Sequence, residues 1–253
     1  MKKKRKKHDH IVNDIEAIYW RGIDLYLQYN NVSAALECFL KAANAGYKEA
    51  YGEIGIILSR EKDKPDEAEK WFKRAEKTGS LFPLAAYEYG MLHYFEKDDW
   101  ESALRYLFQS AEHGCKLAYG EIGTILYLYK NEIDEAEKWF KQAEKADCLF
   151  APAAYYYGDL LVLEKGKWKK GLKYLRKAAR EDFELAYGEL GSVLYLKKGE
   201  IDEAEEWFKK AEKADSLLAP YAHDYGMLLI EERDDVERGN FYLDKAVQDG
   251  YPH

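Results

Sequence analysis

The chain has 253 residues, 47% of them apolar and 34% charged, with a net charge of −8, a balance unlike that of disordered chains. No stretch approaches the roughly 18 consecutive apolar residues that span a bilayer. The charge is divided: residues 1–10 carry six Lys or Arg and one Asp, so the remainder holds −13, which argues against a phosphate-binding surface on the folded part.

Residues 1–10 read as a basic, disordered tail ahead of a repeat domain covering 11–253. Asp14, Glu16 and Arg21 follow at once, where a secretion signal would need an apolar core, so no leader is expected and the expected setting is cytoplasmic. Cys38, Cys115 and Cys148 are too few and too scattered for a disulfide framework or paired zinc ligands. His8 and His10 lack a third ligand, so no metal is expected. No cofactor-binding or catalytic motif appears, and the chain is not expected to be an enzyme.

From residue 11 onward one pattern recurs. A glycine stands mid-helix at Gly22, Gly55, Gly90, Gly123, Gly158, Gly191 and Gly226, at spacings alternating between 33 and 35. This fixed period predicts seven helical hairpins, paired into 68-residue double units. In the fourth unit the first helix shows a wide apolar face (Ala118, Tyr119, Ile122, Ile125, Leu126), which marks it as the inner helix, contacted on more than one side. The second carries a narrower stripe (Ile133, Ala136, Trp139, Phe140, Ala143) and is the outer, solvated helix.

A mid-helix glycine costs about 1 kcal/mol relative to Ala, which close approach of the paired helix is expected to offset. Sixteen places after each glycine stands a bulky or thiol side chain (Cys38, Trp71, Tyr106, Trp139, Tyr174, Trp207, Tyr242), with small residues thirteen and twenty places on to complete the interlock. Twenty-four places on, Gly46, Gly79, Gly114, Asp147, Asp182, Asp215 and Gly250 are expected to take left-handed backbone at helix ends.

Runs such as KAANAGYKEA over Lys41–Ala50, followed by Glu53-Ile54-Gly55, and AEHGCKLA over Ala111–Ala118, followed by Ile122-Gly123, resemble Sel1-like repeats, relatives of tetratricopeptide repeats. The resemblance covers residues 11–250. It implies an all-α, right-handed solenoid of seven helix-turn-helix hairpins whose concave face binds proteins or peptides. The basic and Asn residues with which some tetratricopeptide domains clamp a carboxylate tail are missing, so that mode is not expected.

The chain is accordingly expected to be a protein-interaction scaffold without catalysis. Its candidate partner-binding residues are Tyr87, Tyr94, Tyr127, Tyr155 and Tyr195 with Glu53, Glu88, Glu121 and Glu189. The glutamates stand two places before a marker glycine and are expected along one side of the inner surface. Gly52, Gly120 and Gly188, alternating with Tyr87 and Tyr155, are expected to leave shallow recesses. Tyr serves packing and binding alike, so both roles stay open for these tyrosines; Tyr89, Tyr157 and Tyr225 are expected in the core. Such a groove suits a partner with basic or aromatic residues. Two other readings stand beside it: a nucleic-acid or anionic-membrane tether through Lys2 to Lys7, and an immunity or secreted effector protein on the same scaffold. Some of Phe241, Tyr242 and Leu243 in the last unit are expected to be exposed, offering an apolar end for self-association.

Overall fold

The computed structural model describes residues 2–60 and 64–252, and side chains from Asp14 onward. Among the described residues fourteen α-helices form seven hairpins: α1 (Lys2–Leu27) with α2 (Val32–Asn44), α3 (Ala50–Ser59) with α4 (Pro65–Thr78), α5 (Pro83–Glu96) with α6 (Trp100–Glu112), α7 (Ala118–Leu128) with α8 (Ile133–Lys145), α9 (Ala151–Leu163) with α10 (Trp168–Arg180), α11 (Leu185–Val193) with α12 (Ile201–Lys213), and α13 (Ala219–Arg233) with α14 (Val236–Gln248). The backbone of α1 includes most of the basic segment, whose side chains lie outside the described residues, as do His8 and His10. Contacts divide the chain into two compact units, residues up to Ala118 and residues from Tyr119 on, with the division at the start of α7. No helix among the described residues is long and apolar enough to cross a membrane.

Short-range chemistry sets the helix ends. Pro83 opens α5, and Pro152 and Pro220 fall in the first turns of α9 and α13, where a missing N–H is harmless. Asn31, Asp99 and Asp235 cap α2, α6 and α14, their side chains accepting from the backbone N–H three residues on. Gly46, Gly79, Gly114, Asp147, Asp182, Asp215 and Gly250 all have positive φ, as expected. A second left-handed set lies inside the hairpins, eight places after the marker glycine: Asn30, Asp98, Asn131, Gly166, Gly199 and Asp234. Asn, Asp and Gly are the residues that tolerate this conformation, so the composition of that position carried the signal.

The marker glycines let the paired helix close in. A Cβ at Gly191 would stand 2.8 Å from the ring of Phe208, and the same relation joins Gly22 to Phe39, Gly55 to Phe72 and Gly123 to Phe140. In the alternate hairpins Leu107, Leu175 and Leu243 lie against Gly90, Gly158 and Gly226. The residue covering the glycine is therefore seventeen places on, which corrects the expected sixteen by one. The sixteenth-place residues do something else. Tyr106, Tyr174 and Tyr242 are buried, while Trp71, Trp139 and Trp207 are half-buried beside Tyr51, Tyr119 and Tyr187.

One aromatic column recurs every 68 residues. In the first unit Phe72 stacks on Tyr89 with centroids 5.0 Å apart, and Tyr89 meets Tyr106 at 4.2 Å. In the second unit Phe140, Tyr157 and Tyr174 repeat it at 5.2 and 4.4 Å, and Phe208, Tyr225 and Tyr242 at 5.2 and 4.6 Å. Tyr89, Tyr157 and Tyr225 are buried, as expected. An ion pair with the same period joins the end of a first helix to the preceding outer helix: Lys97 to Asp66 and Glu69, Lys165 to Asp134 and Glu137, Arg233 to Asp202 and Glu205.

Candidate partner-binding surface

The expected site residues lie on the first helices α3, α5, α7 and α9 and on α11 with its continuation, and each unit presents them differently. In the first unit Glu53 accepts a hydrogen bond from the Tyr19 hydroxyl at 3.3 Å, and burial raises its pKa. Glu88 is taken by Arg60, whose guanidinium meets it at 2.7 Å and donates to the Tyr26 hydroxyl at 2.5 Å. Tyr87 and Glu88 come together, with Met91 and the exposed Phe95, around a shallow pocket of about 290 Å³. Tyr94 packs edge-on against Phe95 at 5.1 Å.

In the second unit Tyr127 donates to Asp159 at 2.5 Å and Tyr195 to Glu231 at 2.7 Å. Tyr155 is buried, its ring 5.4 Å from Phe183. Glu121 is half-buried, and burial pushes its carboxyl up to about 7. Glu189 is only 3% exposed, and neither of its oxygens makes a hydrogen bond of good geometry, although the Tyr155 hydroxyl and the Asp159 carboxyl lie beside it. Burial, and then the charge of Asp159, hold its carboxyl well above the usual carboxylate range; burial also raises Asp159. One sequence position thus holds a hydrogen-bonded, an ion-paired, a half-buried and a buried unpartnered carboxyl.

The expected recesses at the glycines are filled. Gly52 is covered by Phe82 and Ala85, Gly120 by Ala153 and Gly188 by Tyr221, each leaving no room for a Cβ. The next hairpin's first helix fits into the space, so these glycines serve close packing.

A pocket of about 360 Å³ opens instead between α9, α11 and α13. Val162, Leu163, Val193, Leu196 and Pro220 form its apolar lining, with Glu189 and Ser192 also facing it. The helix that begins as α11 continues as a π turn over Leu194–Lys198, which contributes Leu196 and Lys197; π turns gather at functional sites. The Ser192 hydroxyl is buried and, like Glu189, lacks a partner.

Sequence reasoning missed Asp159, Ser192 and Tyr221. The signal was their departure from the 68-residue repeat: Asp159 stands where the other double units have Met91 and Met227, and Tyr221 where they have Ala85 and Ala153. A further regularity was missed. Five places after the marker glycine the side chain is an exposed Leu27 and Phe95 in the first unit and an exposed Leu128, Leu163 and Leu196 in the second, with Arg60 and Glu231 at the two remaining hairpins. At the last hairpin Phe241 is exposed, while Tyr242 is buried on Tyr225. The three cysteines are unpaired and half-buried, and the described residues hold no cluster of metal-ligating side chains.

A sequence model described as tetratricopeptide repeat matches residues 160–219. A TPR repeat-containing protein of Methanocaldococcus jannaschii is 24% identical over 250 residues, covering 91% of this chain and 42% of its own length. One from Dictyostelium discoideum is 29% identical over 134 residues, 49% of each. The chain therefore spans less than half the length of these curated relatives. Among solved structures, a protective antigen of uropathogenic Escherichia coli displaying an SLR fold matches with a TM-score of 0.64 at 22% identity, covering 85% of this chain and 49% of that one. A Sel1 repeat protein from Oxalobacter formigenes gives 0.58 at 21%, covering 91% and 99%. YrrB, a TPR protein with an unusual peptide-binding site, gives 0.56 at 22%, covering 72% and 93%. At these identities the likeness shows the fold, an all-α helical repeat.

Proposed function

Because the chain is a Sel1-like, tetratricopeptide-related repeat protein, we propose that it is a protein-interaction scaffold that binds a partner segment across the first helices of its hairpins and carries out no chemistry of its own. Repeat proteins of this class generally mediate protein–protein interaction, and the peptide site of YrrB supports a peptide or protein ligand here. The observation that carries the reading is the repeated exposed apolar position. In the second unit Leu128, Leu163 and Leu196 stand at one register on three successive first helices, with Leu163 67% and Leu196 56% exposed. Lone exposed leucines are ordinary, but a repeated set in one register supplies the apolar centre an interface needs. Tyr127 and Tyr195, one residue before two of these leucines, add amphipathic contact area. A partner segment with apolar anchors and basic flanks fits this surface.

The test is capture from the source cell, identification by mass spectrometry, and reconstitution with the purified partner. Leu163→Asp with Leu196→Asp should weaken binding about a thousandfold while leaving the melting temperature unchanged, since hot-spot truncations cost about 2 kcal/mol or more each. Lys141→Glu with Lys209→Glu, on outer helices, should change it by no more than about threefold. Equal losses from both pairs would place the interface elsewhere.

A further inference from the structure

Three double units of near-identical sequence act as controls on one another: what all three share maintains the fold, and what one alone changes is available for something else. Three of these changes gather at one place. Asp159 and Tyr221 replace residues of the other copies, Ser192 stands where they have Ile56 and Thr124, and all three meet around Glu189. Asp159 lies against the Glu189 carboxyl, and Ser192, Tyr221 and Asp224 share its pocket. The Tyr221 ring covers the backbone of Gly188.

A buried carboxyl with no hydrogen-bond donor is costly and rare in a folded protein. Glu53 has Tyr19 and Glu88 has Arg60. Neither Glu189 oxygen makes a hydrogen bond of good geometry; the Tyr155 hydroxyl and the Asp159 carboxyl lie beside it, and Asp159 has the same sign and is itself held by Tyr127. Lys197 on the rim is exposed and pairs with neither of them. The pocket therefore presents the Glu189 carboxyl and the Ser192 hydroxyl with no cation paired to them, among apolar side chains.

We propose that this pocket between α9, α11 and α13 binds an organic cation with an apolar stem, a primary amine or guanidinium, whose head hydrogen-bonds Glu189 and Ser192 while its stem lies along Val162, Val193 and Leu196. Its volume of about 360 Å³ is at the small end of the range for ligand pockets, about 300 to 1,000 Å³, which suits one side chain or one small amine. The π turn over Leu194–Lys198 places Leu196 and Lys197 in the pocket lining. A lysine or arginine side chain of a partner and a free alkylamine share this chemistry. The first of these deepens the scaffold reading and rests on it; the pocket itself does not.

The test is an NMR and calorimetric titration of the full chain with n-butylamine and with the peptide acetyl-Ala-Lys-Ala-amide, against 1-butanol and the norleucine peptide as neutral controls. Both amines should bind, moving resonances of residues 188–198 and 220–224, with the neutral controls at least about tenfold weaker. Glu189→Gln should weaken the amines about tenfold or more, and Glu121→Gln, at the same repeat position one copy earlier, should not. Asp159→Met, which installs the side chain of the other two copies, is a second variant expected to fold and to weaken amine binding. Binding of the peptide alone or of butylamine alone supports the site and assigns the source. Equal binding of amines and neutral controls, no binding of either amine, or full retention by a folded Glu189→Gln overturns it. Amine binding with no protein partner would leave the pocket standing and remove the scaffold; a partner that responds to the leucine variants, with no amine binding, would do the reverse.

Discussion

Phe208 and Trp207 are neighbours in sequence, and truncating each tests which of them holds the hairpin together. Phe208 is fully buried, its ring against the Gly191 backbone and stacked on Tyr225 at 5.2 Å. Phe208→Ala removes the ring and leaves a cavity, a change that costs about 3 to 5 kcal/mol, of which the stacking contact accounts for about 0.5 to 1.5 kcal/mol. Trp207 is larger but half-buried, touching Tyr187 at 5.6 Å and the Lys210 ammonium at 4.0 Å. Half of a large side chain's burial is about 1 to 2 kcal/mol, so Trp207→Ala should cost less than half as much. Urea unfolding followed by circular dichroism, with midpoints compared at equal slope, measures both. A third variant makes the reasoning sharper. Gly191→Ala alone gains about 1 kcal/mol of helix propensity but drives a methyl into the Phe208 ring, an overpacking cost of about 1 to 3 kcal/mol. Combined with Phe208→Ala the ring is gone, so the pair should be more stable than the sum of the singles predicts. If Trp207→Ala proves the more damaging, or if Gly191→Ala and Phe208→Ala are additive, the seventeen-place interlock is wrong.

Gly79 ends α4 at φ +68°, and Asp147 holds the same place one double unit later at φ +56°. Gly79→Ala should lower stability by about 1 to 2 kcal/mol, the cost of left-handed backbone for a residue with a Cβ, whereas Asp147→Gly should be neutral or slightly stabilising in the same thermal melts. Glu121 has its carboxyl raised from the ordinary 4.5 to about 7 by burial, so the folded state holds a proton that the unfolded state has released. Its contribution is complete below pH 4.5 and is lost as pH rises through about 7, a change of at most about 3 kcal/mol; the melting temperature should fall from pH 5 to pH 8, and Glu121→Gln should flatten that slope.

The repeat was legible because packing of a helical hairpin is local and periodic. The marker glycine, the small residues thirteen and twenty places on, and the left-handed ends at Gly79 or Asp215 each answer to a constraint that recurs in every copy, and the structure has them where the spacing put them. The one-residue error at Trp207 and Phe208 arose because both side chains are large and adjacent, and a hydrophobic count cannot say which of two neighbours faces the partner helix. The glycines at 52, 120 and 188 misled for a related reason. A missing Cβ marks close approach of something, and here that something is the next hairpin rather than a ligand.

The site was harder to see because its residues were sought in what repeats. Position-equivalent glutamates look alike in sequence, and a ladder along the inner surface is what equivalence predicts. Their electrostatics depend on what the neighbouring helices bring to them. Tyr19 reaches Glu53, Arg60 reaches Glu88, and at Glu189 the next first helix brings Tyr221 where the other copies have alanine, while the previous one brings Asp159 where they have methionine. A methionine at 159 would leave Glu189 facing an apolar neighbour, and an alanine at 221 would leave the side of the pocket open. With Asp159 and Tyr221 in place, a half-buried helical position becomes a buried, acidic one. In an array of duplicated units, departures from the repeat that converge in space point to a site more directly than the consensus does, because the consensus is already accounted for by the fold.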